Sequence, residues 1–141
     1  MTPDNAQRRV TIDRVRSGKY TVTNARGGTI SVGGGDDADF TPVELLLTAI
    51  AACTSIDVDI VTSRRAEPDS FQVQVEGTKV RDDKGNHLKD IAVTFSVAFP
   101  EGEAGDAARK VLPDIVKKSH DVLCTVSRTV ELGTPVTTVI D

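Results

Sequence analysis

The side chains with the most chemical potential in this chain are two cysteines, Cys53 and Cys124, and two histidines, His87 and His120. A deprotonated cysteine is both a nucleophile and a metal ligand. The spacing argues against metal. Cys53 and Cys124 stand far apart in the chain and form neither a Cys-x-x-Cys redox motif nor a zinc-finger array. His120 and Cys124 are four residues apart and would share a helix face if one helix ran through both. His87, however, follows Gly85 and Asn86 in a polar link, where a solvated loop is the better account of it. No metal and no cofactor are therefore expected.

Two distant thiols that meet in space support a different chemistry. One thiolate attacks the terminal oxygen of a peroxide and becomes a sulfenic acid, and the second thiol condenses with it to a disulfide. The attacking sulfur benefits from a half-buried apolar site and needs a cation or hydrogen-bond donor to hold its charge. The alternative for each cysteine is structural, because a free cysteine packs well as a small hydrophobe. Cys124 departs from that pattern. It falls at a break beside Thr125 and Ser127 and shortly after His120. At the start of a helix, its thiolate would gain from the backbone N–H groups and the positive end of the dipole.

The element that must position Cys53 is "TPVELLLTAIAACTSIDVDIV", residues 41–61. Thr41 is a natural N-cap, Pro42 suits the first helical position, and Glu44 completes a capping box. Apolar residues follow on nearly every face, which predicts a helix buried on all sides. It should end near "SRRAEP", and from 42 to 64 it would be about 34 Å long. Before it, residues 9–32 alternate apolar and polar types around the breaks "RSGK" and "ARGG", predicting three short antiparallel strands. "GGGDDADF" is read as a mobile connector, since it lacks the lysine of a phosphate loop and the spacing of a dinucleotide fingerprint. "FQVQVEGTKV" and "IAVTFSVAF" predict a hairpin joined by a long polar loop, "RDDKGNHLKD". Residues 101–123 read as helix with a kink or restart at Pro113, "CTVSRTVEL" as a short second helix, and "GTPVTTVI" as a final strand. The order is α+β.

The 141 residues suffice for one domain with its own core, so a single domain over 1–141 is expected. With one Tyr, four Phe and no Trp, that core must be aliphatic. A net charge of −4 without a basic cluster excludes a nucleic-acid partner. "MTPDNAQRRVTID" lacks the apolar centre of a secretory signal, and Glu44, Thr48, Asp57 and Asp59 interrupt the longest apolar run, so a cytoplasmic protein without a membrane span is expected.

"TPVELLLTAIAAC" followed by "SHDVLCTVSRTVELGTPV" resembles the OsmC/Ohr family, named for osmotically inducible and organic hydroperoxide resistance proteins. The likeness covers nearly the whole chain and looks closest to the wider OsmC-like branch. It implies an OsmC-like fold: N-terminal antiparallel strands, a long central cysteine-bearing helix, a β-hairpin, further helices and a final strand, assembled as an intertwined homodimer with sites at the subunit interface. It further implies a cysteine-based peroxidase of peroxiredoxin-like chemistry that reduces organic hydroperoxides in oxidative-stress protection. Cys53 would be the peroxidatic cysteine and Cys124 the resolving one, with a dithiol, lipoyl-type in one branch, restoring the pair. Val43 stands where peroxidase members carry Glu, and Glu44 follows it; one residue rotates a helical side chain by about 100°. Glu44 is thus read both as capping partner and as catalytic candidate. For the thiolate-holding arginine, Arg16 resembles the Arg-x-Gly turn of the hydroperoxide branch and Arg26 the Arg-Gly step of the wider branch. The alternative function is a non-enzymatic dimer that binds a small apolar or thiol-containing ligand, or a slow redox sensor.

Overall fold

The computed structural model describes residues 6–141; the opening of the segment read for a leader, residues 1–5, lies outside them. The chain divides into two compact units, one up to Leu46 and one from Leu47 to Asp141.

In the first unit, β1 (Val10–Arg16), β2 (Lys19–Asn24) and β3 (Thr29–Gly33) form the expected antiparallel meander in the order β1-β2-β3. Gly18, at φ 75, turns β1 into β2 in a conformation that other residues rarely adopt. The next turn is closed by Asn24, whose Oδ1 accepts from the backbone N–H groups of Arg26 and Gly28. Pairing of Ile12 with Val22 and of Val22 with Ile30 collects the branched side chains on one face. That face is open. With Pro42 and Leu45 it lines a groove of about 450 Å³. The acidic loop expected as a mobile connector is tied back instead: Lys19 binds Asp37 at 2.6 Å and also pairs with Asp39, and Gly33 N–H donates to the Phe40 carbonyl.

Helix α1 (Pro42–Ser63) opens with the predicted capping box. Thr41 N–H donates to Glu44 Oε1 at 2.9 Å, and Glu44 N–H donates to Thr41 Oγ1 at 3.3 Å. At its far end the Arg65 guanidinium donates to the Val61 carbonyl. Burial on every side is not what the single chain achieves. Ile50, Ala51, Thr54, Val58 and Thr62 form one buried stripe, whereas Val43, Leu46, Ile56 and Ile60 are exposed, Ile56 at 61%. The chain supplies a wall for one face only.

In the second unit β4 (Ser70–Asp82) and β5 (Gly85–Ala98) pair from Ser70–Ala98 to Asp82–Gly85. The long loop expected here is therefore strand, closed by a turn of two residues. Asp82 Oδ1 accepts from the N–H groups of Lys84 and Gly85, and Gly85 takes φ 133. His87, read as a loop residue, lies on β5 opposite Val80, with its Nδ1 3.6 Å from Asp82. Polar alternation continued past the apolar core of each strand, and the strands continued with it. The register shifts beside Gly77, where Asp90 adopts φ 54, as in a β-bulge.

Helix α2 (Glu103–Lys118) runs through Pro113 without ending there. It packs Ala108 against Ala66 and Phe99, with Val97 and Leu112 at the margin. Gly105 permits this approach, since a Cβ there would stand 1.7 Å from the Pro100 carbonyl oxygen. The helix then widens into one π-turn, Ser119–Leu123, and restarts as α3 (Thr125–Leu132), which ends on Gly133 in the left-handed conformation. The predicted final strand is absent. Thr134 still donates to the Thr129 carbonyl through its N–H and Oγ1, and residues 134–141 join no strand ladder among the described residues, with Val136 91% and Ile140 95% exposed. A strand needs a neighbouring edge for its backbone groups, and none of the described residues pairs with the tail in a ladder.

Candidate active site: a thiol pair at the start of α3

Cys53 sits in the middle of α1 and Cys124 at the junction between the π-turn and α3. The π-turn determines where Cys124 points. Cys124 N–H donates to the Ser119 carbonyl five residues back, at 2.8 Å, which leaves Cys124 extended and free to cap α3. Ser119 is fully buried, and its Oγ donates to Asp57 Oδ2 at 2.7 Å, locking the π-turn onto α1 one turn beyond Cys53. The two elements that carry sulfur are thereby joined by a hydrogen bond to a charged group.

The result is contact between the cysteines. Both are free thiols, Cys53 half-buried and Cys124 buried at 0% exposure, and their side chains hydrogen-bond to each other. The first turn of α3 serves both sulfurs. Cys124 Sγ accepts from Ser127 N–H at 3.4 Å and lies 3.4 Å from Ser127 Oγ, and the Thr54 side chain also hydrogen-bonds to it. Val126 N–H points at Cys53. Burial alone pushes both thiols up. For Cys53 burial prevails, reinforced by the Cys124 sulfur and the Asp57 carboxylate. For Cys124 the hydrogen bonds from Cys53, Ser127 and Thr54 outweigh burial and hold it below the ordinary thiol value.

Thr54 and Ser127 also form part of the wall of a cavity of about 350 Å³, whose apolar side is Ile91, Val93, Phe95 and Val116. His120 stands at the same cavity, where Nε2 lies 2.7 Å from Glu131 and Nδ1 3.0 Å from Asp121; these carboxylates raise its affinity for a proton.

The structure thus brings together Cys53 and Cys124 among the residues singled out from sequence. Glu44 is engaged in the capping box of α1. Arg16 and Arg26 belong to the first unit, Arg16 beside Asp37 at the end of β1 and Arg26 in the turn built on Asn24. His120 and Cys124 do not share one regular helix, because the π-turn intervenes. Among the described residues no group of three or more His, Cys, Asp or Glu is set to hold a metal ion. The donors Ser127 and Thr54 had no assigned role in the sequence reading. A signal for Ser127 existed: Cys-x-x-Ser has the same spacing as the Thr41-x-x-Glu44 capping box.

The family pattern described as OsmC-like protein matches residues 34–139. An uncharacterized protein of Mycobacterium tuberculosis is 31% identical over 128 residues, covering 89% of this chain and 90% of that protein. Among solved structures, an OsmC-like protein of unknown function from Vibrio cholerae superimposes with a TM-score of 0.74 at 16% identity, over 89% of this chain and 94% of that one. The organic hydroperoxide resistance protein of Bacillus subtilis gives 0.53 at 18% identity, over 87% and 89%.

Proposed function

The chain belongs to the OsmC-like protein family, and from that premise we propose that it is a thiol-dependent peroxidase acting on organic hydroperoxides. The observation that carries the reading is the contact between a half-buried Cys53 and a fully buried Cys124. Cys53 is the sulfur a substrate reaches. As a thiolate it attacks the distal oxygen of ROOH, the O–O bond breaks, and ROH leaves Cys53 as a sulfenic acid. Cys124 then attacks the Cys53 sulfur, water leaves, and a disulfide forms. A dithiol, of the lipoyl type or similar, returns both sulfurs to thiols while becoming a disulfide itself.

The cavity beside Thr54 and Ser127 suits the organic part of such a substrate, since one wall is apolar and the thiol pair lies just behind its polar wall. The apolar residues left uncovered on α1 and on the three-stranded sheet support a homodimer. Arg16 and Arg26 are the arginines we assign as candidate cations for the site in that assembly, and the cytoplasm, where thiols stay reduced, is the compartment this cycle requires. We treat the 141 residues as one domain in that dimer. A second reading, a dimer that binds a small apolar ligand and uses its sulfurs only as a slow redox sensor, draws on the open groove of about 450 Å³ in the first unit.

Stoichiometric cumene hydroperoxide distinguishes the two. On the peroxidase reading, reduced protein loses both thiols within seconds, and Cys53→Ser loses none. On the same reading, Cys124→Ser gains oxygen mass at Cys53 and forms no intramolecular disulfide. Survival of both wild-type thiols over minutes would discard the peroxidase in favour of the binding protein.

A further inference from the structure

Two sulfurs in contact hold one negative charge far more readily than two, because like charges at that range repel strongly. The site distinguishes sharply between the positions that charge can take. Around Cys124 converge the Ser127 N–H, which donates to the sulfur, the Ser127 hydroxyl, which accepts from the thiol and by turning its O–H donates to a thiolate, the Thr54 hydroxyl and the thiol of Cys53; both hydroxyl residues are themselves more than nine-tenths buried. Around Cys53 its own unit places one backbone donor, Val126 N–H, and the carboxylate of Asp57 one helical turn away; the candidate cations Arg16 and Arg26 belong to the first unit and are assigned to this site only in the assembled dimer. The remaining titratable groups of the π-turn are paired: His120 with Asp121 and Glu131, and Asp121 with Lys117. Yet Cys124, the sulfur with the donors, is sealed from solvent, and Cys53, the one with few, is the accessible one.

We propose that Cys124 carries the resting thiolate and serves as the base that deprotonates Cys53, with Ser127 and Thr54 as positioning residues that hold the charge. This deepens the peroxidase reading and rests on it. The resting pair is Cys53–S–H donating to Cys124–S⁻. As ROOH arrives, the proton crosses to Cys124 while the Cys53 sulfur attacks the distal oxygen. Cys53 is oxidised to the sulfenic acid, and the O–O bond breaks with its electron pair going to RO⁻. The Cys124 thiol returns the proton to RO⁻, giving ROH, and Cys124 is again a thiolate. It attacks the sulfenic sulfur and expels hydroxide, which leaves a disulfide. Two hydrogens and two oxygens enter in the two reactive groups and leave as ROH and OH⁻. The sulfur named as resolving thus acts first as base, then as acid, then as nucleophile.

The charge is read directly from thiolate absorbance near 240 nm during a pH titration of the reduced protein. The expected result is a thiolate at neutral pH in wild type and in Cys53→Ser, and none in Cys124→Ser until alkaline pH. A thiolate that persists in Cys124→Ser and vanishes in Cys53→Ser overturns the assignment, whether or not the protein is a peroxidase. The base role is read from single-turnover oxidation of Cys53 by cumene hydroperoxide, followed by mass. In Cys124→Ser it should slow at pH 7 by on the order of tenfold or more, since a thiol with an ordinary pKa is only a few per cent ionised there, and recover as pH rises. An unchanged rate at pH 7 overturns the base role and leaves the peroxidase intact. Ser127→Ala should move the acid limb of the wild-type profile to higher pH with the alkaline plateau kept, and Ser127→Thr should restore it. Equal slowing at every pH in Ser127→Ala would mark Ser127 as merely structural and overturn its part in holding the charge.

Discussion

His120 joins two elements through its ring, Glu131 on α3 at Nε2 and Asp121 on the π-turn at Nδ1. Both are carboxylates, so folding raises the proton affinity of the imidazole above the ordinary value near 6.5. A histidine whose pKa is raised on folding adds stability that is complete below the unfolded value and lost as pH rises through the folded one. The side chain is 56% exposed, so the contribution is that of a surface pair, about 1 kcal/mol or less. His120→Gln should therefore melt below wild type at about pH 5.5, and the gap should close by about pH 9. A constant gap across that range would show that the ring matters through packing and not through its charge. At this scale the sequence was informative about sulfur and less so about oxygen. The capping box and both cysteines stand out by residue type and spacing, but Thr54 is one hydroxyl among many until α1 and α3 meet. His87 was misread because the turn chemistry of Asp82 lies in where its carboxylate points, not in the composition around it.

Among the elements, the π-turn does most to assemble the site. It is fastened by the Ser119 hydroxyl, which donates to Asp57 on α1 from a fully buried position. A hydrogen bond to an ionised partner contributes about 1.5–3 kcal/mol, and its loss leaves a carboxylate without its donor. Ser119→Ala should lower stability by roughly that amount in urea unfolding, and disulfide formation after peroxide treatment should slow because Cys124 is no longer held against Cys53. Loss of stability without any change in disulfide rate would show that the π-turn keeps its aim unaided. Most elements were predictable from periodicity: three strands, a long helix with its start fixed by Thr41 and Glu44, a hairpin, and a short helix beginning at Cys124. The boundaries that differed did so for local reasons. Residues 81–90 are polar apart from Gly85 and Leu88, which resembles a loop until the backbone pairing is seen. Pro113 was expected to interrupt α2, but the irregularity came at Ser119, where nothing in the residue types announces a wider turn.

At the scale of the whole molecule, the chain alone leaves much undone. Val10, Ile12 and Ile30 on the sheet, Ile56 and Ile60 on α1, and Val136, Val139 and Ile140 in the tail are all exposed. Monomeric proteins seldom present apolar surface on this scale without a partner. The homodimer proposed above would cover the sheet face, the outer side of α1 and a tail with strand composition but no strand. Sedimentation at micromolar concentration should give twice the 15.0 kDa chain mass. Charged substitutions at Ile56 and Ile60 together should shift the protein toward the single-chain mass. A wild-type protein that sediments as one chain would remove the homodimer from the proposal. A chain short of aromatics that carries a helix apolar on every side is the compositional ground for that proposal, but a sequence does not say whose surface closes which face.

The widened turn before Cys124 has an implication for how this protein tolerates change in length. One amino acid fewer between Ser119 and Cys124 would let that stretch relax into an ordinary α-helical turn, and every later residue would swing by about 100° around the axis. The sulfur would then face elsewhere, with its neighbours' identities unaltered. Five residues here act as a spacer whose count matters more than its composition, so substitutions at exposed Val122 or Leu123 should be absorbed where the omission of either would separate the thiols.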